Sequence, residues 1–227
     1  MATSYETLLP DIIPAIPTCP DTLIEGQIRA AAIEFCEKTG AYQAELDPVT
    51  TVGGTYEYEL EPPTGTSVHK IMWVTYDGKD LEPISTSLLE QRVPDWRNSS
   101  HYGDPEYFVK QGSNFWLVPT PAATLPQSTI LRVQLKPTHR SNSCDDSVMQ
   151  DYRDAIINGA LFRLLRMPGR DWTDYSGAQI YGSLFAEGLV RAEREARHAD
   201  QGVARKVRYG GLNNKTRHSK RGWRSAY

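Results

Sequence analysis

Carboxylates a few residues apart are the first candidates for chemistry in this chain. A glycosidase-type hydrolase needs two carboxyl groups held roughly 5 to 10 Å apart across a sugar cleft, one as acid and the other as base or nucleophile. Three pairs have suitable residue types: Glu45 with Asp47, Asp145 with Asp146, and Asp151 with Asp154. Plainer roles compete with catalysis. Glu45 and Asp47 fall in a helix-to-strand connection, and Asp145 and Asp146 open a helical pattern, where the helix macrodipole favours negative charge. The five histidines, His69, His101, His139, His198 and His218, are scattered, and none stands at i, i+4 from another ligand type. Gly53-Gly54 lacks the further glycines and the strand-to-helix setting of a phosphate loop; no nucleophile elbow, dinucleotide fingerprint or zinc signature occurs. Cys19, Cys36 and Cys144 match no metal module or disulfide framework and read as reduced thiols of a protein made in a cytoplasm. The expectation is a protein that is not an enzyme and carries no cofactor or metal, with a cell-wall hydrolase acting through the carboxylates as an alternative.

A different chemistry gathers at the end of the chain. Residues 201–227, QGVARKVRYGGLNNKTRHSKRGWRSAY, hold eight cations (Arg205, Lys206, Arg208, Lys215, Arg217, Lys220, Arg221, Arg224) and no Asp or Glu. Of 25 basic and 28 acidic residues, the first two hundred therefore keep 17 basic against 28 acidic, a net of −11 on the body and +8 on the tail. An acidic body with a basic appendage suits docking on something anionic: nucleic acid, membrane headgroups or an acidic protein surface. Val207, Tyr209, Leu212, Trp223 and Tyr227 add apolar anchors that a purely solvating tail would not need. With Gly202, Gly210, Gly211, Asn213 and Asn214 and no apolar periodicity, the segment is expected to be disordered in isolation and to fold on binding. Extended, it reaches about 90 Å at roughly 3.3 Å per residue. Phosphate binding would weaken steeply with salt, whereas docking through buried aromatics would resist it.

The elements that must position these groups are read from hydrophobic period. Residues 4–20 interleave Pro10, Pro14, Pro17 and Pro20 with Leu8, Leu9, Ile12, Ile13 and Ile16, which predicts an extended apolar strap with at most a helical turn or two. Over 21–38, Ile24, Ile28, Ala31, Ala32, Phe35 and Cys36 recur at three and four, predicting an amphipathic helix between Pro20 and Gly40. Between about 49 and 137 the runs TYEYEL, VHKIMWVTY, EYFVK, FWLVP and STILRVQL predict strands, with turns at Asp77-Gly78 and Gly112-Ser113-Asn114 and a helical island near Thr86–Arg92. Stacking of single-stranded nucleic acid on the aromatics of these runs is opposed by the acids in EYELEPP, YDGKDLEP and YGDPEY. After His139 the period is helical again. One helix, capped by Ser143 or Asp145, carries Val148 to Met167 and stops at Pro168-Gly169. A second, capped at Thr173, sets Ile180, Tyr181, Leu184, Phe185, Gly188, Leu189, Ala192 and Ala196 along one stripe. No apolar run approaches the roughly 18 residues of a membrane span and the opening residues lack a secretory leader, so a soluble, unsecreted protein is expected.

The order of these features resembles the head-to-tail adaptor (connector) proteins of tailed bacteriophages, the tail tubular protein A-like family. The resemblance is carried by YETLLPDIIPAIPTCPDTLIEGQIRAAAIEFCEKTGAYQAELDPV, by DPEYF and FWLVPTPA around a hairpin, by STILRVQLKP, and by DYRDAIINGALFRLL leading to YGSLFAEGLVRAEREA. It implies a structural virion protein at the portal vertex, made in the bacterial host cytoplasm. Such a protein forms a ring, usually a dodecamer, below the portal, extends the DNA channel and offers a platform to the tail. The implied partners are the portal protein, a tail nozzle or tail tube protein, neighbouring adaptor subunits and the packaged double-stranded DNA passing through the channel, with no membrane.

Together with the periodicity, this gives an expected α+β fold: a helical bundle, the N-terminal helix packed on a C-terminal antiparallel helix pair, with an inserted small β domain and an extended C-terminal arm. The expected divisions are 1–48 (strap and first bundle helix), 49–140 (β domain), 141–200 (helical hairpin) and 201–227 (arm). The family places such an arm on the portal. Here its wealth of Arg and Lys leaves packaged DNA open as the target, and with it the alternative of a nucleic-acid-binding virion protein.

Overall fold

The computed structural model describes residues 2–98 and 101–198. The first half contains β1 (Ala2–Ser4), α1 (Leu9–Ile12), α2 (Asp21–Thr39), β2 (Gln43–Glu45), β3 (Val49–Thr51), β4 (Glu57–Glu59), β5 (Thr66–Tyr76), β6 (Lys79–Asp80), β7 (Glu82–Pro83) and α3 (Thr86–Arg92). The second contains β8 (Tyr107–Gln111), β9 (Asn114–Val118), β10 (Leu125–Pro137), β11 (Ser143–Asp145), α4 (Asp146–Asp151), α5 (Arg153–Leu165) and α6 (Tyr175–His198).

The strands form three sheets. One is the short antiparallel pair β1–β11; one runs β2-β10-β5-β6 with β3 also on β10; one runs β4-β9-β8-β7. This overturns the expected fold class of a helical bundle carrying a small β insert: the chain is mixed α/β. β5 and β10 are 11 and 13 residues long, and α2 lies against β10 as well as against α5 and α6. The difference has a physical origin. Strand propensity is local, but β10 takes partners from three places in the chain, with Arg132 opposite Glu45, Thr129 opposite Val49 and Leu131 opposite Val74. Period-2 patterning states which residues of a strand share a face and nothing about how many strands will join it.

Two main cores result. Ile24, Ile28, Ala31, Ala32, Phe35 and Cys36 of α2 meet Ile156, Ala160 and Leu164 of α5 and Phe185 and Ala192 of α6. Leu131, Val133 and Leu135 of β10 meet Ile71 and Val74 of β5 and the inward side chains Phe108, Phe115 and Leu117. A smaller cluster of Leu89, Trp96, Val109 and Val118 lies under α3.

α2 stops at Gly40, whose φ of +62° is left-handed, a conformation that glycine adopts without strain. The strap is more helical than expected. After β1 it turns through Tyr5–Leu8, α1 and Ile13–Ala15, burying Tyr5, Leu8, Ile12 and Ile16. Arg153 Nη2 donates to Asp11 Oδ2 at 2.6 Å and holds it on α5. The predicted helix over 145–167 is broken at Tyr152, where ψ is 23°, into α4 and α5. Asp145, not Ser143, supplies the cap, accepting from Ser147 N at 3.1 Å, while Ser143 pairs with Ser4. For α6 the cap is Asp174, accepting from Ser176 N at 3.0 Å; Thr173 instead bonds back to Met167 O.

Glu34 of α2 is bonded to Lys38 one turn on and to Arg163 of α5. Partial burial pushes its carboxyl up, but the Lys38 hydrogen bond and the two neighbouring cations outweigh this, and its pKa lies below the ordinary carboxylate value. A depressed folded pKa stabilises above the unfolded value, near 4.3, and that contribution is lost as pH falls through the folded value. Glu34→Gln should therefore cost roughly 1 kcal/mol in urea unfolding at pH 7, and the gap to the parent should close below about pH 4. An equal gap at pH 7 and pH 3 would show that this triad does not contribute through charge.

Candidate assembly surfaces

Of the carboxylates singled out for hydrolysis, Asp145 and Asp146 serve the fold, and Asp47 lines a cleft beside β4. Asp145 caps α4, and Asp146 accepts a hydrogen bond from Thr3 Oγ1, joining α4 to β1. Glu45 ends β2, and Asp151 and Asp154 flank the break between α4 and α5. His69 on β5 and His139 in the turn after β10 are exposed, and no group of three or more potential metal ligands occurs among the described residues. The three cysteines are free and buried, and the hydrogen bond with Cys144, with burial, pushes the Cys36 thiol up and keeps it protonated. No helix among the described residues is long and apolar enough to cross a membrane. The predicted arm residues Arg205, Lys206, Val207, Arg208, Tyr209, Leu212, Lys215, Arg217, Lys220, Arg221, Trp223, Arg224 and Tyr227 lie outside the described residues.

Two surfaces stand out among the described residues. The first is the outer side of α6. Gly182 and Gly188 let this helix approach α5 closely: an added Cβ would lie 2.8 Å from the Phe162 ring and 2.7 Å from Ala155 Cβ. Tyr152 on α5's leading end donates its hydroxyl to Glu195 Oε2 at 2.9 Å; burial and that carboxylate push its pKa up to about 12. Held in this way, α6 buries Ala178, Phe185 and Ala192. The opposite side leaves Ile180 63%, Leu184 43% and Val190 46% exposed. An open groove of about 740 Å³ beside Leu184 and Val190 is lined by Asp154, Ala155 and Asn158 of α5 and by Glu187, Arg191, Arg194 and Glu195 of α6. Sequence reasoning placed Ile180 and Leu184 on the buried stripe. The signal it passed over was width: apolar residues at 180, 181, 184, 185, 188 and 189 span more helix surface than one neighbour covers.

The second surface is a cleft of about 320 Å³ where the β2–β3 connection meets β4. Leu46, Tyr58, Leu60 and Leu131 are buried beneath it, and the exposed Asp47, Glu59 and Glu61 stand at its rim. The Tyr58 hydroxyl donates to Thr55 O at 2.8 Å and receives Val52 N at 3.1 Å, which fixes the wall leading to β4. None of the three rim carboxylates is in an ion pair among the described residues. The alternation EYELE, which sets Glu57, Glu59 and Glu61 on one face, was the available signal for this rim.

One surface presents apolar side chains to water; the other couples an apolar floor to carboxylates with no ion-pair partner among the described residues. Residues 2–208 match a family model described as SU10 adaptor protein. No curated protein matches the chain.

Proposed function

Because the chain belongs to the SU10 adaptor protein family of phage head-to-tail adaptors, structural proteins of the junction between head and tail, we propose that it assembles as a closed ring below the portal. In this reading the ring lengthens the DNA channel, offers a platform to the next tail component and uses residues 201–227 to clamp the portal. The observation that carries the reading is the exposure of Ile180, Leu184 and Val190 on the outer side of a 24-residue helix that precedes the cationic segment in the sequence. Apolar side chains left in water on a helix already packed on its inner side gain from a neighbouring subunit, and ring symmetry repeats that contact at every interface. The arm then adds avidity: its cations steer the encounter with an acidic surface and its aromatics seat in pockets.

The test is co-sedimentation and electron microscopy of the full chain with purified portal, alongside Trp223→Ala/Tyr227→Ala. The parent should form rings on the portal that persist at about 0.5 M salt, where surface charge is strongly screened, and the double variant should lose at least about tenfold in affinity, as for two anchors of a hot spot. Removal of residues 201–227 that abolished DNA binding and left portal binding intact would overturn the clamp in favour of a DNA tether.

A further inference from the structure

The last turns of α6 end over the close of α2 (Glu37–Gly40) and beside His69 and Met72 of β5, with β2 next to them. Glu193, Ala196 and Arg197 surround one hollow with Gln43 of β2 and Gln134 of β10. From Gln43 the chain runs through β2 into Leu46 and Asp47, the wall of the acid-rimmed cleft. Gln43 and Asp47 are four residues apart, about 13 Å of extended chain at roughly 3.3 Å per residue. Residues 199–208 span up to about 33 Å when extended, so the chain beyond α6 is long enough to reach the cleft. The first cations and large apolar side chains it brings there are Arg205, Lys206, Val207, Arg208 and Tyr209.

We propose that this cleft holds the root of the chain's own basic segment, residues 205–209, with Tyr209 on the floor of Leu46, Leu60 and Leu131 and the three flanking cations against Asp47, Glu59 and Glu61. Charge complementarity selects the occupant. The rim brings three carboxylates with no ion-pair partner among the described residues, and the segment brings three cations within five residues and no acid. β4 is the outer strand of its sheet, with no strand on its far side among the described residues, so the segment can also bond to its free backbone edge. Anchored at Tyr209, the remaining residues would still extend about 60 Å, so the proposed portal clamp would fall to residues 210–227, with Trp223 and Tyr227, rather than to the whole of 201–227. The inference concerns a single chain and holds whether or not rings or portal binding are found.

The test uses the full chain carrying Thr50→Cys at the cleft and Gly210→Cys beside the anchor, oxidised in dilute solution; the native thiols are buried. An intramolecular disulfide should form, and its rate should fall about tenfold when Tyr209→Ala or Asp47→Lys/Glu61→Lys is added, as for loss of a hot-spot anchor. Thr50→Cys with Ser225→Cys should link more slowly than the first pair. A rate unchanged by these substitutions, or equal for the two cysteine pairs, would overturn the proposal. Links solely between two chains would also overturn it and assign the cleft to a neighbouring copy.

Discussion

Replacing Gly159 by leucine is expected to destabilise the chain by about 3 kcal/mol or more, the upper end of overpacking in a close-packed core. Gly159 stands in the middle of α5 where three helices meet. A Cβ added there would lie 2.9 Å from Phe185 Cε2, 3.0 Å from Phe185 Cδ2 and 3.1 Å from Ala31 Cβ. Phe185 and Ala31 are themselves buried, so neither can yield into solvent. Leucine adds three further carbons to that clash, whereas alanine adds only the Cβ and recovers up to about 1 kcal/mol of helix propensity. Gly159→Ala should accordingly be much the milder variant. Against a total stability of roughly 5–15 kcal/mol, the leucine substitution should lower the thermal midpoint by about ten degrees on the usual scaling of about 2–4 °C per kcal/mol. Calorimetry decides it. Phe185→Ala, which removes the opposing ring, should offset part of the loss in the double variant, because the two positions share one space. Strict additivity would show that the helices separate without using that contact.

Aspartates at Ile180 and Leu184 should do the reverse, sparing the fold and abolishing assembly. Both side chains already face water, so Ile180→Asp/Leu184→Asp should change unfolding by no more than about 0.5 kcal/mol per site. In a subunit interface each aspartate would be a buried, unpaired charge, a penalty of several kcal/mol repeated around the ring. Sedimentation velocity should then show monomers at concentrations where the parent assembles into the proposed rings, with unchanged circular dichroism. Rings of normal size from this variant would move the subunit contact elsewhere on the chain.

The elements that were legible in the sequence owe this to short-range signals. α2 lies at Asp21–Thr39 because apolar residues at three and four spacing, an opening proline and a closing glycine all act within a few turns. The β8–β9 hairpin turns at Gly112, with φ of +61°, for the same kind of reason. What stayed hidden involves partners far along the chain. β1 pairs with β11 across about 140 residues, and β7 joins β8 in parallel with α3 between them. The break at Tyr152 has tertiary causes as well: its ring meets Phe35 at 5.0 Å and its hydroxyl reaches Glu195, so one residue serves α2 and α6 at the cost of a continuous helix.

By itself the sequence determined the kind of each major element, the division of charge between an acidic body and a cationic segment, and an order of features that resembles phage adaptors. Only the tertiary structure decided that the strands gather into three sheets, that Phe185 is enclosed while Ile180 is left in water, and that Asp47, Glu59 and Glu61 ring an apolar floor. The physical reason is that periodicity reports how a residue is oriented on its own element. Burial is decided by whether another element is there to cover it, and the described residues do not supply that neighbour for the outer side of α6 or for the cleft beside β4.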